Sequence, residues 1–140
     1  MYRFLLIVLF ITSTIVGCVK ENIPTPVVNN PVDTLMTVSR LSGTFNNGPF
    51  GAVTGSAKIY FQNNQSILAL ENLSSSNGPD LHVYISKEAM PVNYIDLGRL
   101  QSIMGNQQYL LAGNINFSEY KYALIHCQRY NHLFGSAELK

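Results

Sequence analysis

Tryptophan is absent from this 140-residue chain, and cysteine occurs only twice. Charged residues make up 12% of it, and their signs nearly cancel at a net formal charge of +1. With so few Lys and Arg, and those scattered, the chain lacks the basic footprint of a nucleic-acid binder. It carries no C-x-x-C-H run for covalent haem, no phosphate-cradling glycine loop and no paired catalytic carboxylates. Helical periodicity is hard to find, and there is no internal repeat or low-complexity tract. These gaps argue against an independent catalyst and leave the two cysteines as the informative residues.

Long apolar runs are also scarce, with one exception at the start. Residues 4–16 form a largely apolar stretch behind the cationic residues 1–3, and it ends in Ile15-Val16-Gly17-Cys18. It is too short to span a bilayer as a helix and fits a signal h-region. A small residue before the cysteine, with aliphatics behind it, is the pattern of a bacterial lipoprotein signal peptidase site. The expectation is a signal peptide over 1–17, a lipidated Cys18, and a flexible linker over 18–39. The alternatives are an uncleaved anchor or an ordinary secretory signal. Pro24, Pro26 and Pro31 stiffen the linker toward extended geometry, so it serves as a stalk. Loss of Arg3 with the signal would leave eight basic and eight acidic side chains, a mature net charge of zero. Attachment then rests on the acyl chains, at about 0.8 kcal/mol per buried methylene. Val19-Lys20-Glu21-Asn22 has no Asp after Cys18, and its Lys-Glu pair points to the outer membrane or cell surface. Otherwise the pair is a solvated tether.

The folded domain, residues 40–140, reads as short strands between turn residues. Residues 55–61 alternate, with Ala57, Ile59 and Phe61 on one face and Ser56, Lys58 and Tyr60 on the other. Asn63-Asn64 then turns the chain into a partner strand over 66–70, a hairpin signal. Residues 81–86 set Leu81, Val83 and Ile85 against His82, Tyr84 and Ser86. A strand is expected over 122–130, and another over 133–139 with Phe134, Ala137 and Leu139 for burial. Residues 98–105 leave room for one helical turn. The fold class is therefore all-β, an antiparallel sandwich or barrel of short strands.

If Cys18 is lipidated, Cys127 has no thiol to pair with. An odd cysteine in an exported protein points to an intermolecular bond, a functional thiol or a metal ligand. The bland alternative is a buried thiol acting as a small hydrophobe. In a strand, Ala123, Ile125 and Cys127 share one face while Leu124 and His126 share the other. His126 therefore cannot serve Cys127 as a base, and a cysteine hydrolase would need His82 or His132. His82, Cys127 and His132 reproduce the ligand types and order of a blue-copper site, without the axial Met. A haem held by the Cys127 thiolate is a further alternative. Asn77-Gly78-Pro79-Asp80 reads as a turn, with Asp80 able to cap the next strand. The tyrosines, Tyr84 and Tyr94 among them, read as half-buried strand residues, with electron relay as the alternative.

Taken in order, Gly43-Thr44-Phe45, Gly55–Tyr60, Ser76–Tyr84, Tyr94–Gly98, Gly105–Tyr109, the strand carrying Cys127 and Phe134–Leu139 resemble the DM-thirteen domain family, described as an electron-transfer domain. The resemblance covers residues 40–139. It implies a β-rich extracytoplasmic redox module whose hallmark cysteine falls on Cys127, working as a bare thiol or holding a group such as haem. Asp80, His82 and His126 are then the site's expected neighbours, and an envelope redox protein is the expected partner. His126 stands where the resemblance implies an aromatic residue. The competing expectation is a non-enzymatic surface-binding or structural module around an inert Cys127.

Overall fold

In the computed structural model, residues 28–29 and 37–140 are described, and every element among them is a strand. The signal peptide, Cys18 and most of the linker lie outside the described residues. The strands are β1 (Val28–Asn29), β2 (Thr37–Asn47), β3 (Val53–Gln62), β4 (Gln65–Ser75), β5 (Leu81–Ser86), β6 (Tyr94–Arg99), β7 (Met104–Leu111), β8 (Tyr122–Cys127) and β9 (His132–Glu138). They hydrogen-bond in the order β1-β7-β4-β3-β2-β9-β8-β5-β6. All pairs are antiparallel except β1 with β7. Strand β2 is shared, pairing β3 through Thr44 and β9 from Phe45 onward. The result is a nearly closed antiparallel barrel of eight strands, with β1 added at one edge.

Local chemistry accounts for the hairpins. Asn63 and Asn64 both take positive φ, 49° and 63°, the backbone that a two-residue primed turn requires between β3 and β4. The β8–β9 connection is shorter in strand than the sequence predicts. Strand β8 stops at Cys127, and residues 128–131 turn, with Asn131 left-handed at φ 53°. The helical turn expected within 98–105 does not form. That stretch ends β6, crosses a short connection and opens β7, because pairing with β5 and β4 satisfies its backbone.

The interior takes one face of each strand. Ala57, Ile59, Leu68, Leu70, Val83, Ile85, Ala123, Ile125 and Ala137 are all fully buried in a single cluster. Burying each larger aliphatic contributes about 1.5–3 kcal/mol. The seam between β6 and β7 closes by side chains instead of a ladder. Fully buried Gln107 accepts at Oε1 from Tyr109 Oη (2.7 Å) and the Gln101 N–H (3.0 Å), and its Nε2 donates to the Ser102 carbonyl (2.7 Å). Burial of Tyr109 pushes its phenol up to about 12, so it remains a donor.

One end of the barrel gathers four connections: 48–52, 76–80, 100–103 and 128–131. Ser76 and Ala52 exchange hydrogen bonds there, and the Gln128 N–H donates to the Asp80 carbonyl at 3.0 Å. Cys127 lies just inside this end.

Candidate functional site

Alternation along β8 decides where its reactive side chains go. Ala123, Ile125 and Cys127 enter the barrel, while Leu124 and His126 face outward, as the pattern predicts. Cys127 has no exposed surface and is the free cysteine of the described residues. Its cross-strand partners are Leu81 on β5 and His132 on β9. Leu81 and Phe134 also belong to the core cluster around it. Gly78 closes the barrel end above them: a Cβ there would sit 2.8 Å from Leu81 Cδ2 and 3.0 Å from Phe134 Cζ. The 76–80 turn thus packs on two of the core residues that share the cluster with Cys127.

The histidines do not join it. His82 pairs across the ladder with His126, and both lie on the outer face. His82 Nδ1 is 3.0 Å from both carboxylate oxygens of Asp96. Asp96 also accepts from the Gln128 amide at 2.7 Å and from the Gly98 N–H at 2.8 Å. The buried Asp80 Oδ1 pairs with Arg99 Nη2 at 2.8 Å and lies 3.6 Å from His82 Nε2. His132 stacks flat on Phe50, with ring centroids 3.7 Å apart. His82, Cys127 and His132 therefore do not converge. No group of three or more His, Cys, Asp or Glu among the described residues is placed to hold a metal.

His126 occupies a small outer core with Tyr84, Leu124, Leu133 and Tyr122. Tyr84 is fully buried there, its ring stacked on Tyr94. Burial pushes its phenol up to about 12, against a hydrogen bond from Gln128 that pulls the other way. Burial likewise holds His126 below its ordinary range, a trend only partly offset by its hydrogen bond to Asn131.

A concavity of about 180 Å³ opens at the Cys127 end, lined by Asn77, Asp80, Arg99, Gln101 and Ser102 among others. It is small beside ordinary ligand pockets of roughly 300–1,000 Å³, and Cys127 does not line it. The residues around the thiol do not fit a haem: Cys127 meets packed core, with no slot for a macrocycle. Of the expected neighbours, Asp80 and His82 belong with Asp96, Arg99 and Gln128 in an outer polar cluster. Gln128 and Asn131 carried no signal in the sequence, and Tyr94 and Asp96 entered only within a motif, with no link to His82 or His126. Only the β5–β8 and β5–β6 registers bring them together.

No curated protein and no solved structure matches the chain. A family model described as Electron transfer DM13 matches residues 44–139, from within β2 to just past β9. That span is nearly the whole barrel and includes Cys127, and the chain belongs to the Electron transfer DM13 family.

Proposed function

We propose that this is an extracytoplasmic electron-transfer module, anchored through lipid on Cys18 at the outer membrane or cell surface, with Cys127 as its redox thiol. The match of the barrel to an electron-transfer family carries this reading. In the chemistry that one thiol supports, Cys127 attacks a disulfide on an envelope acceptor protein. A mixed disulfide forms, one acceptor thiolate leaves, and that thiolate takes the Cys127 proton. A donor dithiol then displaces the acceptor from Cys127 with its first sulfur and releases Cys127 with its second. The net result moves two electrons and two protons from donor dithiol to acceptor disulfide.

The burial of Cys127 sets a condition on this route. With Cys127 fully buried, the barrel must open locally before a partner sulfur reaches Sγ, so exchange follows that opening equilibrium. The same burial favours a second reading, in which Cys127 is a core hydrophobe of a surface-binding module.

Thiol labelling separates the two. With 5,5′-dithiobis(2-nitrobenzoate), the redox reading expects slow native modification that accelerates when an envelope disulfide partner is added. It also expects a trapped mixed disulfide that Cys127→Ala abolishes. Modification only after global unfolding, with or without partner, would sink the redox role of Cys127. An absorption spectrum before and after dithionite is the companion measurement, and it reads any chromophore directly.

A further inference from the structure

The outer face of β5 and β8 holds a second set of redox-capable side chains that the Cys127 route leaves unused. Tyr84 is fully buried, and its ring lies nearly parallel to that of Tyr94, with centroids 4.2 Å apart and 13° between planes. Tyr94 is 43% exposed, so the stack runs from solvent to a sealed phenol. The Tyr84 hydroxyl lies 3.3 Å from His126 Nδ1, and His126 Nε2 lies 3.1 Å from Asn131 Oδ1. A carbonyl oxygen only accepts. Nε2 therefore carries the hydrogen, and the Nδ1 lone pair faces the Tyr84 hydroxyl. Asn131 is a positioning residue: its left-handed turn conformation aims the amide that fixes this tautomer. Burial keeps the imidazole neutral and free to accept.

The geometry points to Tyr84 as a one-electron redox group, with His126 Nδ1 as its proton acceptor and Tyr94 as its contact with the surface. A one-electron outer-sphere oxidant of the metal-complex class, meeting the Tyr94 face, removes one electron from the pair. The Tyr84 O–H bond breaks, and its proton moves to His126. The products are a neutral phenoxyl and an imidazolium. A one-electron reductant at the same face reverses both transfers. The coupling follows from acidity, because an oxidised phenol is a far stronger acid than an imidazolium and gives its proton to the base at hydrogen-bond distance. The base at hydrogen-bond distance therefore decides which tyrosine oxidises and stays oxidised. Tyr109 bonds an amide, which is no base. Tyr60 bonds the Glu71 carboxylate, but that carboxylate is already paired with Lys58 at 2.6 Å. Tyr60 is thus the natural control.

This inference rests on the electron-transfer reading of the family but not on Cys127. The test is flash oxidation of the full chain by photogenerated ruthenium(III) tris-bipyridine, read by electron paramagnetic resonance. A persistent tyrosyl radical is expected in the unaltered protein, in Tyr60→Phe and in Cys127→Ala. In Tyr84→Phe that signal should be lost. His126→Phe should slow its formation on the order of a hundredfold, the scale of a positioned proton acceptor. Tyr94→Phe keeps the ring stacked on Tyr84 but removes the hydroxyl that bonds to it, and should slow formation while the radical stays on Tyr84. An unchanged signal in Tyr84→Phe, or none in the unaltered protein, overturns the assignment. If Tyr84→Phe fails to fold, an unaltered rate in both His126→Phe and Tyr94→Phe overturns it as well. Loss of mixed-disulfide exchange in Cys127→Ala with the radical retained shows that the two redox routes stand or fall separately.

Discussion

Cys127 sits where a sulfur and a hydroxyl have different consequences. In the folded state the thiol is fully buried and packed among apolar side chains. Cys127→Ala leaves a modest void and should cost about 1 kcal/mol. Cys127→Ser buries a hydroxyl without a partner and should cost about 1–3 kcal/mol, more than Ala, in urea unfolding. Equal costs would mean the thiol is not packed as described. At His126 the folded state favours the neutral ring, so the unfolded chain binds a proton first. Groups bearing on it are His82, His132, Asp96 and Asn131. Its contribution to stability is complete above about pH 6.5, the ordinary histidine value, and is lost as pH falls through the lower folded value. Unfolding midpoints taken from pH 7.5 to 5 should decline, and His126→Gln should flatten that decline.

Strand β3 shows how one backbone position controls an element. Gly55 has φ +106° at the bulge between Thr54 and Ser56, and a Cβ there would lie 2.7 Å from the carbonyl oxygens of Glu71 and Asn72. Gly98, at φ +103° on β6, has open space instead. Both substitutions to Ala incur backbone strain of about 1–3 kcal/mol, but only Gly55→Ala adds a backbone clash. Thermal denaturation should therefore rank Gly55→Ala well below Gly98→Ala, and a reversed order would contradict the bulge geometry. The β3–β4 hairpin and β5 were legible because alternation and Asn-Asn turn chemistry act locally. Strands β6 and β7 were not. Tyr94–Arg99 and Met104–Leu111 are short and polar, and their extended state depends on partners far along the chain.

Closure of the whole barrel depends on Gln107 at the β6–β7 seam. Gln107→Ala would leave the Gln101 N–H and the Ser102 carbonyl without that partner inside a buried network. A cost of about 3 kcal/mol follows, which for a domain of this size lowers the melting temperature by on the order of 10–20 °C. Circular dichroism should record a single transition at the lower temperature with the strand signal intact. A two-step transition would mean that the two halves of the barrel melt separately.

Sequence alone determined that the chain forms strands, that the inner face of β5 carries Leu81, Val83 and Ile85, and that Cys127 and His126 point apart. These follow from side-chain alternation and turn residues, which act over a few positions. The ordered motifs also carried the family resemblance. Tertiary structure decided what alternation cannot: which faces are wet. Tyr84 and His126 lie on the outer face and are nonetheless buried, in an outer core with Leu133, Tyr122 and the stacked ring of Tyr94. It also moved His82 away from Cys127 and onto Asp96, because cross-strand register sets neighbours that no spacing along the chain records.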